Sequence, residues 1–274
     1  MLRHYYFIIF SLLYSSIAHS GIDEAFSAMD SNDYVTAYKE FLPLAKNGNE
    51  IAQINVGGFL RSGRGVKKNY TEAMKWYRKA ADNGSAAGMY HVGVMYGAGD
   101  GVKRNLKKSL EWKKSAAELG DTTAQNSVGM IYRDGIGVKA DPHNAAKWFR
   151  LAGDKGNKSA QYNLGVMYQK GNGVPRNYAK AFNMYELSAK KGHLKAQSNL
   201  GVMYFRGQGV KKNLALSYTW FSIAAEQGLS AAKHNSDNLR RKMTSTQIAD
   251  AEEILQEVKR SITISSGNEF TPKL

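Results

Sequence analysis

The chain has no cysteine in its 274 residues, few histidines, and no long apolar run after its first twenty positions. The missing cysteine excludes disulfides, thiol nucleophiles, zinc–thiolate centres and a lipid-modified cysteine anchor, so stability has to come from packing alone. Beyond residue 20 the only histidines are His91, His143, His193 and His234. None pairs with another histidine or a carboxylate at metal-ligand spacing, and neither HExxH nor a P-loop occurs, so no metal or cofactor is expected. Acidic residues are also in deficit. With 38 Lys and Arg against 23 Asp and Glu the formal charge is +15. Such an excess favours anionic partners: an acidic protein surface, lipid headgroups, anionic glycans or nucleic acid.

The first twenty residues are unlike the rest. Arg3 and His4 form a short basic start, Tyr5 to Ile17 an apolar run broken by serines, and Ala18-His19-Ser20 a small-x-small cleavage pattern. This reads as a signal peptide cleaved after Ser20, giving a periplasmic or secreted protein with no transmembrane segment after cleavage. The alternative is an uncleaved membrane anchor, for which the run is short against the roughly 20 apolar residues a bilayer needs. Removing Arg3 takes one charge from the +15. Export makes nucleic acid an unexpected partner.

What is abundant is glycine, at a fixed period of 36 residues. The second glycine of a GxGV cluster falls at Gly65, Gly101, Gly137, Gly173 and Gly209. A closing glycine falls at Gly48, Gly84, Gly120, Gly156, Gly192 and Gly228, and a third, inside apolar sequence, at Gly57, Gly93, Gly129, Gly165 and Gly201. A fixed period of this length is the mark of a repeat architecture in which each unit buries its apolar face on its neighbours. In the unit from Glu50 to Asn83, Ala52, Val56, Phe59 and Leu60 recur at helical spacing. A glycine-bearing loop from Gly63 to Lys68 follows, then a second helix capped by Asn69, whose equivalents are Asn105, Asp141, Asn177 and Asn213. Where aspartate replaces asparagine, Pro142 follows at the preferred first helical position. Gly84 and its equivalents close the second helix in the left-handed conformation. The mid-helix glycines each cost about 1 kcal/mol of helix propensity, which points to close helix–helix approach. Trp76, Trp112, Trp148 and Trp220, with Met184 in the same phase, read as core.

Ala160 to Gly192, AQYNLGVMYQKGNGVPRNYAKAFNMYELSAKKG, resembles the Sel-one-like repeat, a 36-residue relative of the tetratricopeptide repeat; the pattern extends from about Asp33 to Gly228 without insertion. The resemblance implies an all-α, right-handed superhelical solenoid of helix–turn–helix units, used mainly as a protein–protein interaction scaffold and often exported in bacteria. Some secreted members are described as penicillin-binding but are cysteine-rich, which this chain is not. The expected organisation is a signal peptide over 1–20, N-terminal capping helices over 21–48, five repeats over 49–228, C-terminal capping helices over 229–260 and a disordered tail over 261–274. Thr244 to Gln247 offers a capping box for the last helix. Asp237 stands where a packing glycine would continue the array.

Two surfaces are candidates for function. On the first helices one column reads Ile54, Tyr90, Asn126, Tyr162, Ser198, and a neighbouring one Arg61, Gly97, Arg133, Gln169, Phe205. Tyrosine and arginine are enriched in binding hot spots, so Tyr90, His91, Tyr162, Arg61, Arg133 and Phe205 are candidate partner contacts. Tyr90 and Tyr162 could instead pack between repeats, and His91, which replaces the asparagine of Asn55, Asn163 and Asn199, could be a tolerated substitution. The second surface is a basic loop edge, Lys67, Lys68, Lys103, Arg104, Lys139, Arg176, Lys211 and Lys212. It is either a solvated edge or a docking edge for an acidic protein, lipid or glycan. Ser188 and Lys191 make a Ser-x-x-Lys match that arises readily by chance; no catalytic residue and no enzymatic activity is expected.

Overall fold

The computed structural model describes residues 21–266. The proposed leader, 1–20, and positions 267–274 of the proposed tail lie outside the described residues. All regular structure among the described residues is helical. α1 spans residues 21–30 and α2 spans Tyr34–Lys46. Ten 13-residue helices follow as five pairs: α3 (Glu50–Ser62) with α4 (Tyr70–Asp82), α5 (Ala86–Ala98) with α6 (Leu106–Glu118), α7 (Thr122–Asp134) with α8 (Pro142–Asp154), α9 (Lys158–Lys170) with α10 (Tyr178–Lys190), and α11 (Leu194–Arg206) with α12 (Leu214–Glu226). α13 (Ser230–Arg240) and α14 (Ser245–Ser266) complete the described chain. None of these helices is long and apolar enough to cross a membrane. The helices gather into two compact units, one ending at Ala124 and one beginning at Gln125.

Each repeat closes on the capping column. The side chains of Asn69, Asn105, Asp141, Asn177 and Asn213 accept the backbone N–H three residues on, which starts the second helix. Their own backbone N–H groups donate to the carbonyls of Leu60, Tyr96, Tyr132, Tyr168 and Tyr204 at 2.7–3.0 Å. One residue therefore satisfies orphan groups at two helix ends and fixes the hairpin.

The GxGV glycine does a separate job. Gly65 has φ +68°, and any Cβ there would overlap the carbonyl of Tyr34 at the start of α2. Gly101 meets the Tyr70 backbone, Gly173 that of Pro142 and Gly209 that of Tyr178 in the same manner. The loop of each of these repeats is thus pressed on the N-terminus of the preceding second helix, with no room for a side chain.

The mid-helix glycines are sites of close approach, as their spacing predicts. A Cβ on Gly57, Gly165 or Gly201 would lie 2.7–2.9 Å from the ring of Tyr77, Tyr185 or Phe221. These rings stand one residue after the tryptophan column. Trp76 and Trp220 are buried, but Trp112, Trp148 and Met184 are only half-buried. The deeper column is Tyr77, Phe149, Tyr185 and Phe221, with Lys113 in the second repeat.

At the C-terminal end the capping box forms as read: Gln247 N–H donates to Thr244 Oγ1 at 3.2 Å and Thr244 N–H to Gln247 Oε1 at 3.0 Å. The boundary placed at residue 260 needs correction, because α14 continues to Ser266. Leu255, Val258 and Ile262 repeat at helical spacing, and Leu255 and Ile262 are buried in the core of the second unit. That stripe carries the helix past residue 260.

Candidate functional site

In the first unit, α3 and α5 bring Arg61, Tyr90 and His91 into one cluster. Arg61 Nε donates to Asp100 Oδ2 at 2.9 Å. His91 stacks on Tyr77 with centroids 4.7 Å apart and planes 14° apart, and meets Tyr90 edge-on at 5.5 Å. Burial lowers the His91 pKa, Arg61 lowers it further and Asp121 opposes both. Its Nδ1 is buried without a hydrogen-bond partner. Burial raises the Tyr90 hydroxyl pKa, and that of Tyr77 is pushed up to about 12 for the same reason. His91 is therefore a ring held inside a stack where burial disfavours its charged form, with Tyr90 half-buried at its edge.

In the second unit, α7, α9 and the start of α11 bring together Arg133 and Tyr162. Arg133 grips Asp134 with two bonds, Nε to Oδ1 at 2.7 Å and Nη2 to Oδ2 at 2.8 Å. Its Nη1 donates to Asn163 Oδ1 at 3.0 Å, and Asn163 Nδ2 donates to Asn126 Oδ1 at 3.0 Å. Tyr162 stacks on His193, centroids 4.5 Å apart. His193 Nδ1 caps α11 by accepting from the Ala196 N–H at 3.2 Å. Burial lowers the His193 pKa, with Lys158 adding to the effect. Tyr162, His193, Asn163 and Asn126 line an open cleft of about 450 Å³ that also takes in Met130, Lys158 and Lys195 and has no carboxylate in its wall; Arg133 stands behind it, reaching it only through Asn163.

Phe205 stands apart from Arg133 and Tyr162. It is 41% exposed, lies under the Lys212 ammonium at 5.8 Å, and borders a smaller pocket of about 270 Å³ with Phe221, Asn238 and Leu239. The two candidate arginines are both held by aspartates of their own chain, which removes them as free cations. Nothing in the spacing singles out those aspartates, because Asp100 and Asp134 occupy different positions in their repeats. Asn163 and His193 are likewise invisible as members of the cleft. A hint for His193 exists in the capping column Ser85, Asp121, Asn157, where a histidine is the departure.

The basic edge divides into two classes. Lys68 and Arg176 lie over the rings of Tyr70 and Tyr178, Lys212 over Phe205, and Arg104 Nε donates to the Gly97 carbonyl at 3.1 Å. These fold back on the protein. All eight residues are exposed, and Lys67, Lys103, Lys139 and Lys211 extend without such a ring or carbonyl contact among the described residues. The Ser-x-x-Lys match does not form a dyad. Ser188 is buried and donates to the Lys158 carbonyl at 2.7 Å, while Lys191 Nζ donates to the Gly156 carbonyl at 2.8 Å.

With this geometry in hand, the comparison with known families is decisive: the Sel1 repeat model matches residues 51–85, 86–121, 122–157, 158–193 and 194–229. The chain belongs to the Sel1 repeat family. Its five Sel1 repeats are the five helix pairs described above, a scaffold commonly used for protein–protein interaction. Among solved structures it is similar to a protective antigen present in uropathogenic Escherichia coli strains, with 30% identity and a TM-score of 0.78 over 91% of this chain. The chain spans only 54% of that protein. A Sel1 repeat protein from Oxalobacter formigenes matches at 28% identity and a TM-score of 0.73, over 86% of this chain and 99% of that one. An immunity protein from Pseudomonas aeruginosa shares the fold at 23% identity and a TM-score of 0.54, over 76% of this chain and 81% of that one. No curated protein matches.

Proposed function

We propose that this Sel1 repeat protein is an exported, non-enzymatic adaptor whose first-helix face docks a protein partner in the periplasm or outside the cell. The observation that carries this reading is the cleft beside Tyr162. Its polar groups are ordered by the Arg133–Asn163–Asn126 chain, its wall holds Lys158, Lys195 and the Tyr162–His193 stack, and it has no carboxylate of its own. A preformed cleft with aromatic and cationic walls loses little conformational entropy on binding. The Escherichia coli relative, described as a protective antigen, is consistent with export. Partner action, whether regulatory, inhibitory or assembling, follows from the partner rather than from the scaffold.

The exposed lysines Lys67, Lys103, Lys139 and Lys211 support a second role for the loop edge, steering an acidic protein, lipid or glycan surface at low ionic strength. The test is a pull-down with the tagged full-length chain from envelope and secreted fractions, at low and high salt, beside a Tyr162→Ala variant. A stoichiometric protein that survives salt and is lost in Tyr162→Ala supports the adaptor. Recovery that salt abolishes and Tyr162→Ala leaves intact transfers binding to the basic edge. Intact mass of the exported protein, beginning at Gly21, checks the leader.

A further inference from the structure

The second repeat, residues 86–121, departs from the others on one face. Where they place Tyr77, Phe149, Tyr185 and Phe221, it has Lys113; where they place Arg61, Arg133, Gln169 and Phe205, it has Gly97. In the other four repeats a ring covers the mid-helix glycine. Here the lysine stem does so: Lys113 Cγ would lie 2.8 Å from a Cβ on Gly93, and its ammonium 4.0 Å from a Cβ on Gly97. The aliphatic stem packs as the rings do, and it carries a charge to the Gly97 end of α5.

That charge has no counter-ion among the described residues: no carboxylate or carbonyl engages the Lys113 ammonium. Burial alone lowers its pKa from the ordinary lysine value. Asp100, just past the end of α5, is already paired with Arg61. α5 itself contains no Asp, Glu, Lys or Arg. Tyr90, Val94 and Gly97 follow at helical spacing on one face of it, and each is half-buried. A half-buried ammonium with no partner is unfavourable, and the same sequence places an aromatic ring at this position four times. The lysine is thus a local departure from the best-packed solution, beside an apolar strip from which the side chain at position 97 is missing.

We infer that Lys113 and the Tyr90–Val94–Gly97 strip of α5 form an anchor for a partner protein segment that presents a carboxylate among aliphatic side chains. The carboxylate pairs with the Lys113 ammonium and the aliphatic groups lie on the strip. Charge complementarity selects the carboxylate, and the apolar strip selects a peptide over a bare polyanion. The inference rests on the docking role proposed above for the first-helix face, and adds which repeat anchors the partner and through what chemistry.

The test uses the full chain and two fluorescein-labelled probes, a Gly-Ser-flanked Leu-Leu-Glu-Leu-Leu peptide and its Leu-Leu-Gln-Leu-Leu counterpart, read by fluorescence anisotropy. The glutamate peptide is expected to bind about ten-fold tighter or better, the equivalent of 1.4 kcal/mol. Lys113→Met, which keeps the stem, and Lys113→Tyr, which restores the ring of the other repeats, are both expected to abolish that preference, and Lys113→Tyr to melt above the wild type. Equal affinity for the two peptides, a preference that survives Lys113→Met, or binding of neither peptide overturns the inference. Tyr90→Ala separates the two levels. Equal binding of both peptides that Tyr90→Ala removes leaves α5 as a docking surface and removes only Lys113, whereas binding indifferent to Tyr90→Ala removes α5 from the docking face and leaves the Tyr162 cleft to its own test.

Discussion

Gly129 and Phe149 compete for one volume: a Cβ on Gly129 would lie 2.7 Å from both Cδ1 and Cε1 of the Phe149 ring, which is itself fully buried. α7 and α8 approach as closely as they do because residue 129 has no side chain. Gly129→Leu is expected to destabilise the protein by about 1–3 kcal/mol through overpacking. Chemical denaturation reads this directly, and an unchanged midpoint would mean that the ring can move aside.

The positive-φ glycines are not equivalent. At Gly84 (φ +89°) nothing lies within 4 Å of the place a Cβ would take, whereas at Gly65 (φ +68°) the Tyr34 carbonyl occupies it. Gly84→Ala therefore carries only the left-handed backbone penalty, about 1–2 kcal/mol. Gly65→Ala adds a collision with rigid backbone and is expected to be the worse of the two in a thermal melt. Equal losses would remove the proposed loop-to-helix clamp.

Histidine titration sets a pH dependence. His91 and His193 both have pKa values lowered in the folded state, chiefly by burial. The unfolded chain therefore binds protons that the folded one refuses. Their contribution is intact above the ordinary histidine pKa of about 6.5 and is lost as pH falls below it. Melting temperature is expected to drop between pH 7.5 and pH 5. His91→Asn together with His193→Asn, each the residue of its own column elsewhere, should flatten that drop. A slope unchanged in the double variant would assign it to other groups.

The extended end of α14 is testable by one residue. Ile262 is 5% exposed within the core of the second unit, so Ile262→Ala is expected to cost about 2–5 kcal/mol. If residues 261 onward were a detached tail, the substitution would be silent in the melt.

Much of this protein is readable in one dimension because its contacts are local. A capping asparagine acts on the helix it starts, and a mid-helix glycine acts on the helix next in sequence. A period of 36 residues therefore reports the helices, their caps and their pairing, down to the Thr244–Gln247 box. Spacing reads the tryptophan column as core, which holds at Trp76 and Trp220, but period alone does not say that the neighbouring column of Tyr77, Phe149, Tyr185 and Phe221 is the one that covers the glycines. It also ends the last helix too early, at residue 260, because Ile262 looks isolated until Leu255 and Val258 are seen on the same stripe.

The candidate sites are less legible. Arg61 and Arg133 look like free hot-spot cations in their column, and only the fold shows Asp100 and Asp134 holding them. Repetition determined the helices, their ends and their order, because each repeat satisfies its own backbone and meets mainly its neighbours. Tertiary structure alone decided which charges remain unpaired, Lys113 among them, because neutralisation depends on where a side chain ends in space and not on its phase in the repeat.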